Sequence, residues 1–230
     1  MAHSSRGMLR LAGRPARWLR QGALDGRPVV ALAHGAGSPL ESPFLEQCTS
    51  ALLAHGLSVV RFHFPYMQTR VDEGGRRPPD RVPVLLETWR ALLDRIGTMG
   101  SVGCRAGPVV MAGKSMGGRM ASMLLAEGRA SEVRGSVYLG YPLHPAGRPE
   151  RERVEHLPKV VVPQLFVSGS RDALAGRERL EQVVAGLDLA ELLLIPGGDH
   201  SFARRKKDEV LHGPAPDWPK AMADFVHRVC

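Results

Sequence analysis

Ser115 lies at the centre of a glycine-flanked motif that could hold a nucleophile. Gly113 precedes it by two positions and Gly117 follows it by two, within VVMAGKSMGGRMASMLLAEG (109–128). A β-branched run comes before the serine and a helical pattern follows, which is the setting of a sharp turn that exposes a serine hydroxyl. We therefore predict a nucleophile at Ser115. The alternative is a glycine-rich connection that only packs closely.

A base and an acid in suitable positions follow the serine along the chain. A serine hydroxyl needs a base to take its proton, and the base needs an orienting acid. His200 follows an apolar run in LLLIPGGDHSF, and Asp172 follows another in PQLFVSGSRDAL. The order Ser115, Asp172, His200 is the order found in α/β hydrolases. Asp199 is the poorer acid because it adjoins the histidine, while Asp172 could also act as a helix N-cap.

A second turn of small residues could bind the negative charge that develops during acyl transfer. HGAG (34–37) follows an early apolar run, and its small residues let a backbone N–H approach a substrate oxygen. We predict oxyanion donors at Met116, at the start of a helix, and at Ala36, with Gly37 as the alternative to Ala36. His34 is expected to stabilise this loop in preference to acting as a general base.

Two irregular segments, 65–81 and 142–158, follow strand ends, where open α/β sheets bind their ligands. Their cationic candidates are Arg70, Arg76, Arg77, His144, Arg148, Arg151 and Arg153. An arginine that faces the serine would favour a carboxylate or phosphate on the substrate, and solvated arginines are the alternative. Candidate substrate contacts are His34, Tyr66, Arg77 and His144.

Two further cationic features are given no catalytic role. The run ARRKKDEV (203–210) is expected to be the exposed start of a helix in preference to an anion-binding patch. Lys114 adjoins the predicted nucleophile, but its side chain should point away from the serine at such a turn.

The segment between 135–141 and 163–169 is short, so little or no cap is expected over the site.

The elements that must position these residues alternate between short apolar strands and longer helical patterns. Strands are predicted at 28–34, 57–64, 108–114, 135–141, 163–169 and 191–197, and helices at 42–55, 82–97, 116–128, 174–187 and near 217–229. Nearly continuous apolar strands are typical of a parallel sheet covered on both faces. The fold class is therefore α/β, a doubly wound sheet within one domain over 1–230. Residues 8–22, within 1–27, are expected to add antiparallel edge strands.

Composition excludes several classes of protein. The chain has 230 residues, 43% of them hydrophobic, and no apolar run of membrane-spanning length. The net charge of +8 comes from scattered arginines without a nucleic-acid-binding motif, so neither nucleic acid nor a membrane is expected as a partner. Cys48, Cys104 and Cys230 show no zinc-binding spacing and fit reduced thiols. Without the apolar core of a secretory signal, a cytoplasmic location is predicted.

Seven short motifs carry a resemblance to a known family. They are HGAG, RFHFPYM, RRPPDR, GKSMGG, GYPLHP, GSRD and GGDHSF, and they extend from about residue 29 to residue 202. This set resembles the α/β-hydrolase-like family shared by bacterial hydrolases and the testis-expressed/KANL animal proteins, a distant relative of the dienelactone hydrolases. The resemblance implies an eight-stranded, mostly parallel sheet and a triad of Ser115, Asp172 and His200. The resemblance to the KANL branch also implies a role in assembly as the alternative to catalysis.

These observations predict a serine hydrolase that acts on a small carboxylic ester or thioester through an acyl-enzyme. The substrate is anionic if one of the loop arginines faces the serine. Such a reaction needs no metal or cofactor, and amide hydrolysis would use the same groups. A catalytically quiet protein-interaction module with the same fold is the alternative from another class. A third is an anion-associated or nucleic-acid-associated protein that uses the positive charge. The oligomeric state is not predicted.

Overall fold

A computed structural model describes residues 4–11, 13–99, 107–128 and 130–230. In this part of the chain one sheet contains eight strands: β1 Ser4–Leu11, β2 Arg14–Gln21, β3 Val29–Ala33, β4 Ser58–Phe62, β5 Val109–Lys114, β6 Val133–Leu139, β7 Gln164–Gly169 and β8 Ala190–Ile195. Their spatial order is β1-β2-β4-β3-β5-β6-β7-β8. β2 pairs antiparallel with β1 and with β4, and the other pairs are parallel. The predicted sheet and its antiparallel edge are confirmed.

The burial of the strands follows their positions in the sheet. All five residues of β3 and of β4 are buried, because helices cover both faces of these central strands. β1 lies at the edge and alternates between exposed and more buried residues along its length. It begins at Ser4, earlier than the expected strand boundary at residue 8.

Seven helices lie in the described residues: α1 Pro43–Ala54, α2 Pro65–Glu73, α3 Val82–Gly97, α4 Met116–Ala126, α5 Arg177–Ala185, α6 Lys206–His212 and α7 Trp218–Val229. A 3-10 helix spans Leu157–Lys159. Proline lies in the first turn of α1, α2, α3 and α7, where a missing N–H costs no hydrogen bond. The five predicted helices and the exposed one after residue 203 are confirmed, apart from shifted ends.

The prediction that 65–81 is wholly irregular was wrong, because α2 occupies its first nine residues. The helix has no apolar periodicity over its length. Instead it buries four consecutive residues of its first turn, Pro65 to Gln68. Tertiary contacts of that turn, and not an amphipathic pattern, stabilise this helix.

The core lies on both faces of the sheet. Along β5, Val109 and Met111 join the apolar cluster that contains α3 and α4, whereas Val110 and Ala112 join the one that contains α1 and α7. Because successive strand residues point to opposite faces, these helix pairs cover opposite sides of the sheet. A third cluster joins α5 to β6 and β7. The doubly wound arrangement is confirmed, and a single domain over 1–230 remains a prediction.

Within the described residues, no helix is both long enough and apolar enough to cross a bilayer. Cys48 is buried in the core beside Met222, with its Sγ 3.8 Å from the Met222 sulfur, and Cys230 is exposed. Neither cysteine forms a disulfide. Cys104 lies outside the described residues.

Candidate active site

Ser115 occupies a strained turn between β5 and α4. Its backbone has φ 50° and ψ −115°, a region that residues with a side chain rarely adopt. The Ser115 N–H donates to the Leu139 carbonyl at 2.9 Å, which anchors the turn to β6. The strand-to-helix setting predicted for this serine is therefore present.

The flanking glycines are required because backbone atoms occupy the space of a side chain. A Cβ on Gly113 would lie 2.8 Å from the Gly118 Cα and closer still to the Gly118 nitrogen. A Cβ on Gly117 would lie 2.6 Å from the His34 carbonyl oxygen, at the end of β3. The motif thus permits close packing of α4 on two strands, and it also presents the serine, so the two readings of the motif are compatible.

Ser115, His200 and Asp172 form a continuous chain of hydrogen bonds. The His200 Nε2 is 2.9 Å from the Ser115 Oγ, and the His200 Nδ1 is 2.7 Å from the Asp172 Oδ2. Because an ionised carboxylate can only accept, Nδ1 carries the proton and Nε2 is free to accept from the serine hydroxyl. The structure therefore brings together the three residues predicted as the triad.

The Asp172 carboxylate is held in place by its own turn. Its side chain is 0% exposed, and its Oδ1 accepts the Leu174 N–H at 2.8 Å. The next helix, α5, begins at Arg177 with Gly176 as its N-cap, so Asp172 is not a helix N-cap. Asp172 instead caps a short turn after β7, and one of its oxygens is left for the histidine.

Asp199 shapes the loop that presents His200. Its Oδ1 accepts the N–H groups of Ser201, at 2.8 Å, and Ala203, at 3.0 Å. The carboxylate therefore turns towards its own loop and away from the His200 ring, as its position next to the histidine predicts.

Lys114 contacts the histidine loop, although the sequence assigned it no role. Its Nζ donates to the His200 carbonyl at 2.5 Å and lies 5.6 Å and 5.5 Å from the ring centres of Phe44 and Phe202. Burial lowers the pKa of Lys114 to about 8. This contact joins residues 86 positions apart, so no local signal could have revealed it.

The HGAG loop passes directly beside the serine. A Cβ on Gly35 would lie 3.7 Å from the Ser115 Cβ, and Ala36 lines the same cavity as Ser115 and Met116. Met116 begins α4, so its N–H has no hydrogen-bond acceptor within the helix. Gly37 is exposed in the same loop, and its carbonyl accepts from the Arg70 guanidinium at 3.1 Å.

His34 and Tyr66 stabilise this loop, and the structure does not support them as substrate contacts. The His34 Nδ1 donates to the Gly35 carbonyl at 2.6 Å, and its Nε2 accepts the Phe64 N–H at 3.1 Å. His34 is 0% exposed, so neither ring nitrogen is available to a ligand. The buried Tyr66 hydroxyl donates to the Ala36 carbonyl at 3.0 Å. The prediction of a loop-stabilising His34 fits these contacts.

Of the remaining predicted contacts, His144 lies at the site and Arg77 does not. A cavity of about 300 Å³ opens beside Ser115, and its wall includes Ala36, Met116, His144, Arg119 and Arg153. Arg77 is exposed and forms an ion pair with Glu73 at the end of α2, outside the cavity wall. The substrate role expected of Arg77 is therefore corrected, because Glu73 and solvent already satisfy its charge.

The buried histidines make stability depend on pH. Burial lowers the pKa of His34 to about 3, and it also lowers the pKa of His63. The unfolded chain, with histidine pKa values near about 6.5, then binds more protons than the folded one as the pH falls below that value. We expect the free energy of unfolding to fall by about 1.4 kcal/mol per pH unit for each such histidine, from pH 6.5 towards the folded pKa.

Urea denaturation at pH 7, 6 and 5 measures this slope. The stabilising contribution is complete above pH 6.5 and is lost on acidification, so the midpoint should move to lower urea at each step. Replacing exposed His212 by glutamine should leave the slope unchanged. A free energy of unfolding that stays constant between pH 7 and 5 would contradict neutral, buried imidazoles.

Two features define the class of this protein as the α/β-hydrolase fold. One is the sheet order, in which β2 is the one reversed strand among those described, and the other is the serine turn after β5. Residues 26–226 match the family model described as alpha/beta hydrolase domain, and the chain belongs to this family.

Solved structures share the fold at low sequence identity. Est1E from Butyrivibrio proteoclasticus with bound ferulic acid superimposes with a TM-score of 0.74 at 14% identity, covering 97% of this chain and 98% of that one. A dienelactone hydrolase from Anabaena variabilis gives 0.72 at 20% identity, covering 99% and 96%. A cold-adapted esterase from an Arctic intertidal metagenomic library gives 0.66 at 18% identity, covering 100% and 95%.

Proposed function

We propose that this protein is a serine hydrolase that cleaves carboxylic esters through an acyl-enzyme. The observation that carries the proposal is the hydrogen-bonded chain from the Ser115 hydroxyl through the His200 imidazole to the buried Asp172 carboxylate. Each neighbour in this chain lies within the distance that proton transfer requires. The family supports the reaction class, because this fold presents nucleophiles at the turn that Ser115 occupies.

In the first half of the reaction the Ser115 Oγ attacks the ester carbonyl carbon. The His200 Nε2 takes the hydroxyl proton, and Asp172 stabilises the imidazolium that forms. The backbone N–H groups of Met116 and Ala36, or of Gly37 in place of Ala36, donate to the tetrahedral oxyanion. His200 then returns the proton to the leaving oxygen as the carbon–oxygen bond breaks, which leaves the acyl group on Ser115.

In the second half water replaces the alcohol. The water oxygen attacks the acyl carbon while His200 takes a proton from the water. His200 then gives this proton to the Ser115 Oγ as the acyl–serine bond breaks. The carboxylic acid leaves and the resting hydrogen bonds form again. Each of these steps uses only water and groups of this chain.

Several finer features belong to the proposal. A thioester would react by the same steps, because a thiolate is a better leaving group than an alkoxide. We also propose a cytoplasmic location, which the unpaired Cys48 and Cys230 support. The narrower relationship to bacterial hydrolases and the testis-expressed/KANL proteins rests on the seven short motifs.

Labelling with a fluorophosphonate tests the activated serine directly. We expect one adduct by intact mass, mapped to Ser115, and its loss in Ser115→Ala and His200→Ala. Ser201→Ala is the matched control, since this exposed serine adjoins His200 and its replacement should leave labelling intact. A folded protein that takes up no label would overturn the proposal and favour the protein-interaction module.

A further inference from the structure

Two arginines face the cavity beside Ser115 without an anionic partner. Arg119 lies on α4, one helical turn after the serine, and Arg153 lies in the segment 142–158. Among the described residues, no carboxylate lies within ion-pair distance of either guanidinium. The Arg119 Nε is inaccessible to solvent and has no hydrogen-bond partner. Arg17, Arg61, Arg90 and Arg204 also have a buried Nε without a partner, but this pair is distinguished by its position: both arginines line the cavity and neither has a carboxylate partner, which leaves their terminal N–H groups for a ligand.

The guanidinium groups of Arg119 and Arg153 carry like charges in the same cavity wall. Burial and the neighbouring charge of Arg153 both lower the pKa of Arg119, although arginine stays protonated in proteins. The carboxylate of Asp80 also lines the cavity, but it accepts from Arg14 at 2.7 Å and from the Tyr66 N–H at 2.8 Å. The charge of Glu155 also acts on Arg119, but Glu155 lies outside the cavity wall and forms no ion pair with Arg119. The two guanidinium groups therefore remain open to an anion that enters the cavity.

Arg153 is held at the cavity by the backbone of its segment. Its N–H donates to the Leu143 carbonyl at 2.8 Å, and its own carbonyl accepts the Tyr141 hydroxyl at 3.0 Å. Three residues later, His156 joins the segment to α4 through a 2.8 Å hydrogen bond between its Nε2 and the Ser122 Oγ. The same helix carries Arg119, so both arginines belong to one connected structure.

The position of the cavity determines which part of the substrate it receives. His200 does not line it, whereas Ser115 and the oxyanion donor Met116 do. The leaving group must depart beside His200, because His200 protonates it. The cavity therefore holds the acyl group. Its wall also contains the apolar side chains of Leu85, Met120 and Leu174, which suit a short hydrocarbon chain.

We propose that Arg119 and Arg153 bind a carboxylate at the far end of a short acyl chain. The substrates would then be half-esters or half-thioesters of small dicarboxylic acids, for which a cavity of about 300 Å³ has room. Two guanidinium groups suit this ligand because each can donate paired N–H groups to carboxylate oxygens. This inference rests on the proposed hydrolase function, since the ester carbonyl must lie at Ser115.

The test compares two esters that differ in whether the far carboxyl group is free or methylated. Mono-4-nitrophenyl glutarate carries a free carboxylate, and in methyl 4-nitrophenyl glutarate that group is masked. The readout is the ratio of their kcat/KM values, from release of nitrophenolate. Wild type should favour the charged ester, and Arg119→Gln or Arg153→Gln should each lower the ratio on the order of tenfold to a hundredfold, mainly through KM.

Arg148→Gln is the matched control, because it removes an exposed arginine from the same segment, outside the cavity wall. It should leave the ratio unchanged. A ratio near one in wild type that neither cavity variant alters would overturn the carboxylate site. If nitrophenolate release were nevertheless lost in Ser115→Ala, the hydrolase proposal would stand without the carboxylate site.

A binding measurement separates the two proposals when there is no turnover. Calorimetric titration of monomethyl glutarate into Ser115→Ala should show binding that is lost when Arg119→Gln or Arg153→Gln is added. Binding with this dependence, in a protein that neither reacts with the fluorophosphonate nor cleaves either ester, would keep the anion site and overturn the hydrolase. Absence of both binding and turnover would overturn both.

Discussion

Replacing Asp172 by asparagine is expected to lower kcat for ester hydrolysis on the order of 10⁴-fold while the protein stays folded. The reason lies in how the carboxylate is held. Its Oδ1 accepts the Leu174 N–H, so the amide oxygen of asparagine would occupy that position. The amide nitrogen would then face the His200 Nδ1 and donate to it. The imidazole proton would shift to Nε2, which could no longer accept the proton of Ser115.

Asp199→Asn is the matched control for this experiment. It changes an acid of the same loop as His200, but the Asp199 Oδ1 only accepts two backbone N–H groups, which an amide oxygen can also accept. We expect kcat within about tenfold of wild type, because the hydrogen bonds remain and only the negative charge of their acceptor is lost. Steady-state kinetics on a nitrophenyl ester measures both variants. An equal loss in the two would show that Asp172 does not orient the histidine.

Replacing Gly113 by alanine is expected to destabilise the protein by about 3 kcal/mol. The new methyl group would overlap the backbone of Gly117 and Gly118 in the first turn of α4. Backbone atoms cannot move aside as a flexible side chain does, so α4 would have to shift away from β5. For a chain of this size we expect the melting temperature to fall by roughly 10 °C. Fluorophosphonate labelling should also slow, since Ser115 begins that turn.

Gly37→Ala tests whether this effect is specific to the turn. Apart from its chain neighbours, no atom lies within 4 Å of where its Cβ would be, so the melting temperature should change by no more than a degree or two. Thermal unfolding followed by circular dichroism measures both variants. A Gly113→Ala protein as stable as wild type would mean that α4 does not pack on β5 as closely as described.

Much of the fold could be predicted because it depends on local patterns. The central strands are apolar at successive positions, and α3 and α7 have one apolar face, so each reveals its type within a few residues. The helix α2 was missed because its short polar sequence has no such pattern. Its stability comes from contacts of Pro65 to Gln68 with distant residues, which no short window contains.

The candidate triad could be predicted for a different reason. Ser115, Asp172 and His200 each follow a strand of a parallel sheet, and the carboxyl ends of such strands meet at one edge. Residue type together with position after a strand was therefore enough to choose them. Selecting among the arginines was not possible in this way. Of the seven that the two irregular segments carry, only Arg153 lines the cavity, because the path of the loop decides which side chain turns inwards.

Local pattern and chain order are enough to predict the strands, most helices, the serine turn and the three residues that meet at it. Three features could be found only in the folded chain: Lys114 reaches the His200 carbonyl, His34 is enclosed, and Arg119 and Arg153 line one cavity. Such contacts arise when segments distant in sequence pack together. Their partners are selected by burial and charge in the folded chain, which no local pattern encodes.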